Sequence, residues 1–173
     1  VVLITGGAKG IGKAIALELA KNHYSIVINY LSSSKEANLL KQKIEEDYSV
    51  SCLAIQADVS KEVEVDQMIT LIEEKLGGVD ILINNAAIDL SNLFYLKTAE
   101  EFRKTMDVNV VGAFNCSKRV YKKMLEKEYG RIINIASTNG INTYYPMCLD
   151  YDASKAALIS LTHNLAFEYA PYI

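Results

Sequence analysis

The feature that most constrains the fold of this chain is an alternation of short, apolar, β-branched runs with longer segments of helical period. Five runs are almost continuously apolar, which predicts strands that are covered on both faces. The predicted strands are Val1–Ile4, Ser25–Ile28, Cys52–Ile55, Asp80–Ile83 and Arg131–Ile135. Strands that alternate with helices form parallel sheets with crossover helices on both faces. The alternation therefore predicts an α/β fold, a doubly wound parallel sheet in a single domain over residues 1–173.

Apolar residues between the strands recur at helical spacing. Two stripes consist of Ile11, Ile15 and Leu19, and of Val65, Met68, Ile69, Ile72 and Leu76. The segment from Thr98 to Leu125 carries enough apolar residues for one long, deeply packed helix. Tyr151 to Ala170 predicts a last helix, which Pro171 closes because proline cannot continue it.

Composition argues against several classes of function. The net charge is -3 and no block of lysine or arginine is present, so we expect no nucleic-acid partner. The cysteines Cys52, Cys116 and Cys148 form no CxxC pair, which argues against a disulfide framework or a metal site and favours a reducing cytoplasm. No apolar run approaches the roughly 20 residues of a membrane-spanning helix, so we expect no membrane partner.

The sequence begins and ends within segments whose residue patterns are incomplete. Val1 begins within an apolar run, and Ile173 ends in mid-pattern. We therefore expect the natural chain to extend in both directions and the C-terminal part of the fold to be missing from these residues.

The segment that joins the first predicted strand to its helix is rich in glycine and reads Thr5-Gly6-Gly7-Ala8-Lys9-Gly10-Ile11-Gly12. Glycine permits positive φ angles and a close approach to the backbone. A helix N-terminus offers free N–H groups and a positive dipole end to a pyrophosphate. A tight turn alone would also use glycine, but the position after the first strand favours a dinucleotide site.

Further motifs follow in a fixed order. Asn84-Asn85-Ala86-Ala87 follows the fourth predicted strand, Ser137 follows the fifth, and Tyr151-Asp152-Ala153-Ser154-Lys155 begins the last helix. With the glycine spacing Gly-x3-Gly-x-Gly, these segments resemble the short-chain dehydrogenase/reductase family over essentially the whole chain. The resemblance implies a Rossmann-type fold and an NAD(P)-dependent oxidoreductase that acts on a carbonyl or secondary alcohol. The sequence departs from the family pattern at Ala87, where glycine is usual, and in Ile141–Asp150, which is slightly long.

Tyr151 and Lys155 are four residues apart, so they share one face of a helix. A tyrosine hydroxyl is a poor proton donor at neutral pH unless a nearby cation lowers its pKa, and one ammonium at about 4 Å supplies the roughly 4 kcal/mol required. Alone, the pair is also an ordinary surface pair. The resemblance implies that Tyr151 protonates the developing alkoxide, Ser137 hydrogen-bonds that oxygen and Lys155 also binds the nicotinamide ribose. Asn109 is implied to hold a water that relays protons, although it could instead be a buried amide at a helix kink.

The resemblance also implies a set of cofactor contacts. They are Thr5, Gly6, Lys9, Gly10, Ile11, Gly12, Asn29, Tyr30, Ser32, Asp58, Val59, Asn85, Ala86, Ala87, Tyr151 and Lys155. NAD-selective relatives place a carboxylate after the second strand, where this chain has no acidic residue over 29–34. Lys9 supplies positive charge and the serines supply donors, which favours NADP(H) over NAD(H).

Within the family, Ile28-Asn29-Tyr30 and the run from Tyr129 to Asn134 resemble the 3-oxoacyl-[acyl-carrier-protein] reductase branch. The expected substrate is therefore a small or carrier-bound ketone, with another alcohol or sugar dehydrogenase as the alternative. A non-catalytic NADP-binding regulatory protein on the same fold is the rival from another class. A hydrolase is disfavoured because Ser137 lacks a GxSxG elbow.

The segment Thr98–Leu125 carries more apolar surface than one face of a sheet covers. In the family, this helix pairs with its copy in a second subunit. We expect a homo-oligomer, a dimer or a tetramer, built partly on five side chains. They are Phe102, Met106, Phe114, Val120 and Tyr121.

Overall fold

The structure is a computed structural model that describes residues 1–142 and 144–173. Its strands are β1 (Val2–Ile4), β2 (Ile26–Tyr30), β3 (Cys52–Gln56), β4 (Ile81–Asn84) and β5 (Arg131–Asn134). They form one parallel sheet in the order β3-β2-β1-β4-β5. The five predicted strands and the doubly wound fold are confirmed, with small shifts at the strand ends.

The helices are α1 (Gly10–Lys21), α2 (Ser34–Tyr48), α3 (Glu62–Leu76), α4 (Ala99–Met106), α5 (Gly112–Glu126) and α6 (Leu149–Tyr169). Within β1, Leu3 belongs to one hydrophobic cluster, while Val2 and Ile4 belong to a second one. Successive strand side chains point to opposite faces, so the two clusters lie on the two sides of the sheet. Strand order reverses between β1 and β4, which opens a crevice at their carboxyl ends.

The predicted apolar face of α1 is confirmed at Ile15 and Leu19, which pack against the core, and is wrong at Ile11. Ile11 is 63% exposed, whereas Gly12, Ala16 and Ala20 are buried. Small residues let this helix pack close to the strands, and Ile15 contacts the same cluster only from its margin. The stripe of larger residues therefore lies along the border of the contact and not at its centre.

Helix α2 was not predicted from the sequence. Only Ala37, Leu40 and Ile44 are buried in it, and charged or amide side chains surround them. These three residues follow the i, i+3, i+7 spacing of a helix face. That spacing is the one signal that could have identified α2.

The predicted single helix over Thr98–Leu125 is interrupted. Thr98 caps α4 in a reciprocal capping box with Glu101, as expected of a helix N-terminus. A π-helical turn over Asp107–Val111 then separates α4 from α5. Gly112 follows it at a point where a Cβ would lie 2.6 Å from Cγ2 of Val59, so the turn brings the backbone close to the loop after β3.

The proposed oligomer surface needs a correction at Val120. This side chain is only 1% exposed and packs in the core of its own chain, because it lies on the inner face of α5. Phe114, at 44% exposure, faces outward, and Tyr121 stacks on Tyr169 of α6 with ring centroids 4.1 Å apart. Phe102 and Met106 are half-buried.

Helix α6 begins at Leu149, two residues before the predicted start at Tyr151, and its end at Tyr169 confirms the prediction to within one residue. Among residues 1–142 and 144–173, no helix is both long and apolar enough to cross a membrane. The same residues contain no cluster of three or more histidine, cysteine, aspartate or glutamate side chains suited to a metal ion.

Candidate functional site

A cleft of about 290 Å³ lies at the carboxyl ends of the strands, beside the glycine-rich loop. Predicted cofactor residues that line it are Gly6, Lys9, Asn29, Tyr30, Ser32, Asp58, Val59, Asn85, Ala86 and Ala87. Thr5, Gly10, Ile11, Gly12, Tyr151 and Lys155 lie outside this lining. The structure therefore brings most of the predicted set to one cleft, at the crevice where such sheets bind dinucleotides.

The glycine-rich loop has the backbone that glycine makes possible. Gly6 and Gly10 have φ angles of 60° and 52°. A Cβ on Gly12 would lie 2.7 Å from both Asn85 Nδ2 and the Gly6 carbonyl oxygen, so only glycine fits there. A Cβ on Gly10 would meet no atom within 4 Å, so open space lies over the N-terminus of α1. A pyrophosphate fits this arrangement, since its oxygens would reach the free N–H groups of the first helical turn.

Thr5 and Asn85 hold the glycine-rich loop against the loop after β4. Thr5 Oγ1 accepts hydrogen bonds from Asn85 N at 2.9 Å and Ala86 N at 3.0 Å. Asn85 Nδ2 donates to the carbonyl oxygens of Thr5 at 3.0 Å and Gly6 at 3.1 Å. Thr5 is buried, so it shapes the cleft from behind.

Asn29 performs a similar task on the other side of the loop. Its Oδ1 accepts from Gly6 N at 3.3 Å, and its Nδ2 donates to the Ala57 carbonyl oxygen at 3.0 Å. Both ends of this buried amide are therefore engaged with backbone groups. Asn29 thereby joins the ends of β1, β2 and β3.

Beside the cleft, at the start of α2, lies one charged side chain that was not predicted from the sequence. Lys9 Nζ lies 2.9 Å from Glu36 Oε1, and both side chains are exposed. The hydrogen bond from Lys9 holds the pKa of Glu36 below its usual value. Tyr30 Oη lies 3.5 Å from Ser34 Oγ, which joins the end of β2 to the start of α2. Because α2 was not predicted, no sequence signal placed Glu36 beside Lys9.

Asp58 and Val59 follow β3 and form the adjacent wall. Asp58 Oδ1 accepts hydrogen bonds from Ser60 N at 2.9 Å and Ser60 Oγ at 2.7 Å. The Asp58 backbone N–H donates to Glu64 Oε2 at 2.7 Å. These bonds fix the turn that carries Asp58 while the residue still borders the cleft.

Lys155 is buried, with 3% exposure, and its ammonium donates to the Ile135 carbonyl oxygen at 2.7 Å. Lys155 Nζ lies 5.6 Å from the centre of the Tyr151 ring. Burial lowers the pKa of Lys155 from its usual value. The helical spacing has thus placed a buried cation beside the tyrosine, at the end of β5.

Ser137 begins a short 3₁₀ turn over Thr138–Gly140. Its Oγ accepts from Asn139 N at 3.2 Å. A Cβ on Gly140 would lie 2.7 Å from the Lys155 carbonyl carbon, so this turn packs directly on the backbone of α6. Gly140 was not singled out in the sequence, and its contact explains how the Ser137 turn stays against the helix that carries Lys155.

Asn109 lies in the π-helical turn and is buried. Its Nδ2 donates to the Ile88 carbonyl oxygen and to Ser154 Oγ, both at 2.9 Å, and its Oδ1 accepts from Ile88 N at 2.8 Å. The side chain therefore fixes the loop after β4 and the first turns of α6, in line with a buried amide at a kink. The water relay stays a prediction.

The two departures from the family pattern have local consequences. Ala87 needs no left-handed backbone, so alanine is accommodated where glycine is usual. In the segment Ile141–Asp150, Met147 has a φ of 73° and Cys148 precedes α6. Thr143 of this segment lies outside the described residues.

Comparison with known proteins gives a consistent result. The family model for short chain dehydrogenase matches residues 1–173. The 3-oxoacyl-[acyl-carrier-protein] reductase of Staphylococcus epidermidis is 39% identical over 168 residues, which cover 97% of this chain and 68% of that protein. Acetoin dehydrogenase from Salmonella typhimurium has a TM-score of 0.92 at 34% identity, covering 99% of this chain and 68% of that one.

A second solved structure is a gluconate 5-dehydrogenase from Burkholderia cenocepacia in complex with NADP and tartrate. It has a TM-score of 0.90 at 31% identity, covering 99% of this chain and 66% of that one. The family model spans the whole chain, and the 39% identical relative spans 97% of it. This chain belongs to the short-chain dehydrogenase/reductase family of oxidoreductases.

Proposed function

We propose that the protein reduces a ketone to a secondary alcohol with NADP(H), and that its substrate is a 3-oxoacyl group on an acyl carrier. The observation that carries the proposal is the buried ammonium of Lys155, held by the Ile135 carbonyl oxygen and lying 5.6 Å from the Tyr151 ring centre. The ammonium of Lys155 therefore lies against the ring of the residue that the proposal makes the proton donor. Such a pair at the crevice of a dinucleotide-binding sheet is suited to proton transfer.

The residues of the chain have separable tasks in this proposal. The N-terminus of α1 binds the pyrophosphate, and the bound nicotinamide supplies the hydride. Tyr151 gives its proton to the substrate oxygen. Ser137 Oγ accepts a hydrogen bond from Asn139 N. Among the described residues, the hydroxyl hydrogen of Ser137 has no acceptor, so it is available to donate to the substrate oxygen. Lys155 retains two ammonium hydrogens beyond the one given to Ile135, and these suit a ribose hydroxyl.

The preference for NADP(H) over NAD(H) rests on the end of β2. No carboxylate is present over residues 29–34, and Lys9 and Ser32 border the cleft. A carboxylate would accept from a free 2′-hydroxyl, whereas a lysine attracts a 2′-phosphate. The gluconate 5-dehydrogenase in its NADP complex supports this choice as a relative of the same fold.

The choice of substrate rests on the relatives of this chain and on apolar side chains in a cleft beside the Ser137 turn. The Staphylococcus relative is a 3-oxoacyl-[acyl-carrier-protein] reductase, whereas the solved neighbours act on acetoin or gluconate. Next to the Ser137 turn lies an open cleft lined partly by Ile141, Tyr145 and Leu149. Apolar side chains fit an acyl chain better than they fit a sugar acid. We therefore favour the carrier-bound ketone over an alcohol or sugar dehydrogenase substrate.

We further propose that the protein is a cytoplasmic homo-oligomer. Phe114 is exposed on α5, with Phe102 and Met106 half-buried on α4, and a second copy would cover them. The thiols of Cys52, Cys116 and Cys148 are free, as suits a reducing compartment.

The test of the proposed activity is NADPH oxidation with an acetoacetyl thioester, measured for the wild type and for Tyr151→Phe in the full-length protein. We expect the variant to lose more than about 99% of kcat, because one hydroxyl provides the proton. NADPH affinity, measured by fluorescence titration, should stay within about twofold. Tyr24→Phe, at the far end of β2, is the matched control.

Two outcomes would contradict the proposal. Binding of NADPH by the wild type without turnover of any ketone would favour the regulatory protein. Substantial turnover by Tyr151→Phe would remove that residue as the acid. Lys155→Ala should lose both NADPH affinity and rate, since the proposal gives its ammonium two tasks.

A further inference from the structure

Three side chains behind the candidate site form a buried polar cluster. Lys97 Nζ lies 2.9 Å from Asp150 Oδ1, and Thr105 Oγ1 donates to Asp150 Oδ2 at 2.6 Å. Lys97 Nζ also donates to the Leu90 carbonyl oxygen. The side chains of Lys97 and Asp150 are 5% and 0% exposed. We call Lys97, Thr105 and Asp150 the Asp150 clasp.

Stability alone does not account for such a cluster. Removing two charges from water costs about as much free energy as their attraction returns, and apolar replacements of buried ion pairs are often neutral or stabilising. A buried carboxylate with a donor on each oxygen does, however, admit one arrangement of the segments around it. Here Lys97 and Thr105 occupy the two oxygens of Asp150 from different segments.

Each member of the clasp belongs to a segment of the candidate site. Asp150 directly precedes Tyr151 in the first turn of α6. Lys97 ends the loop that follows β4, and Thr105 lies in α4 just before the π-helical turn that contains Asn109. The clasp thus joins the segments that carry the proposed acid and the proposed relay residue.

The loop after β4 also contacts the segment before α6 at the surface of the protein. Asn92 N donates to the Met147 carbonyl oxygen at 3.0 Å. Ser91 Oγ and Cys148 Sγ are 3.5 Å apart. The loop after β4 and the segment before α6 are therefore joined both at the surface and, through the Asp150 clasp, in the interior.

The charge state of Asp150 agrees with this geometry. Burial by itself would raise the pKa of Asp150, but the hydrogen bonds from Thr105 and Lys97 outweigh it and hold this pKa below the usual value. The carboxylate is therefore ionised at neutral pH, and the clasp is a true ion pair.

We propose that Lys97 and Asp150 are positioning residues that hold Tyr151 in its reactive place by fixing the first turn of α6 against the loop after β4. This inference rests on the proposed function, in which Tyr151 is the acid. The clasp holds the loop after β4 at Leu90 and Lys97, beyond the residues of that loop that line the cofactor cleft, so we expect its loss to act on the rate of the reaction more than on NADPH binding. Small displacements of reacting groups are enough to slow a reaction strongly.

The main test is the double variant Lys97→Met/Asp150→Asn in the full-length protein, because either single variant leaves a buried charge without its counter-ion. We expect the double variant to fold with a Tm near that of the wild type. Its kcat should fall by at least about tenfold, the scale of a misplaced reacting group. The Kd for NADPH should change by less than about twofold. Lys43→Met/Asp47→Asn removes the same charge types from an exposed pair on α2 and should leave kcat unchanged.

A second measurement does not depend on turnover. In protein labelled with ¹³C at the tyrosine ring, the signal that disappears in Tyr151→Phe belongs to Tyr151. We expect this signal to shift or broaden in the Lys97→Met/Asp150→Asn variant and to stay in place in the Lys43→Met/Asp47→Asn control. Wild-type kcat in the folded double variant, or an unchanged Tyr151 signal, would overturn the positioning role. If the wild type reduces no ketone, the proposed function fails while the Tyr151 signal still decides the clasp.

Discussion

Lys9 and Glu36 form an ion pair, with 2.9 Å between Nζ and Oε1, that joins the glycine-rich loop to the first turn of α2. The cation expected to attract a 2′-phosphate therefore has a carboxylate as its partner in the structure. A phosphate that binds Lys9 must displace this carboxylate or accept its repulsion. In the proposed complex with NADPH, the carboxylate of Glu36 therefore opposes the 2′-phosphate that Lys9 attracts.

Replacing Glu36 with glutamine should tighten NADPH binding. The change frees Lys9 and removes a like charge, and we expect the Kd for NADPH to fall roughly two- to fivefold, since both groups are exposed and screened. The Kd for NADH should not change, and the gain should shrink at high salt. Glu46→Gln, farther along α2, is the control. Equal tightening for both cofactors would contradict the role of Glu36.

Gly12→Ala should damage the cleft although alanine favours helices. The new Cβ would meet Asn85 Nδ2 and the Gly6 carbonyl oxygen, both 2.7 Å away, so the two loops must separate. We expect a loss of about 1–3 kcal/mol in the free energy of unfolding, typical of overpacking, and markedly weaker NADPH binding. Urea denaturation and fluorescence titration measure the two effects. Lys13→Ala, at the next and exposed position, is the control. Wild-type NADPH affinity in Gly12→Ala would show that the close contacts of Gly12 do not shape the cofactor site.

Burial of Lys155 should make stability depend on pH. Its folded-state pKa is below the usual 10.5, so between these two values the unfolded chain binds more protons and stability rises with pH. In the absence of cofactor, the free energy of unfolding of the wild type should therefore increase with pH relative to Lys155→Met, between the lowered folded-state pKa and about 10.5.

Lys43 provides a comparison of opposite sign. Asp47 raises the pKa of Lys43, so the contribution of Lys43 to stability is present at neutral pH and is lost as the pH rises through its folded value. The free energy of unfolding of the wild type should therefore fall toward that of Lys43→Met as the pH rises above about 10.5. A constant difference between the wild type and Lys155→Met across this range would mean that Lys155 titrates normally.

Phe114→Lys should reduce the molar mass measured by light scattering on the full-length protein. Phe114 is 44% exposed on α5, and a charge there would repel its copy across a symmetric interface. Val63→Lys, on the exposed face of α3, should leave the mass unchanged. An unchanged mass in Phe114→Lys would place any subunit contact on another surface.

The strands were predictable because each is a short apolar run flanked by polar residues, and a strand buried on both faces requires little else. The buried face of α1 was not predictable, because it consists of Gly12, Ala16 and Ala20. These small residues carry almost no hydrophobic signal in the sequence. Helix α2 was missed for a related reason, as its apolar face is only three residues.

The motif residues of the candidate site were identifiable because their order along the chain is itself informative. Their supporting partners were not. Glu36 beside Lys9 and Asp150 beside Lys97 are pairings between segments, and the separation of Lys97 from Asp150 spans more than fifty positions. Such contacts depend on how the loops pack, which no local period of one sequence encodes.

The π-helical turn at Asp107–Val111 changes the kind of mutation that this part of the chain can tolerate. A wider turn accommodates one residue more than an α-helical turn does, so the segments before and after it are out of phase by about 100°. Substitutions at its exposed positions leave that phase untouched. Deletion of a single exposed residue there would convert the wider turn into an ordinary α-helical turn, so Phe114 would still face outward and Cys116 and Val120 would still face the core. This segment can therefore lose one residue in a way that the regular helices α4 and α5 on either side of it cannot.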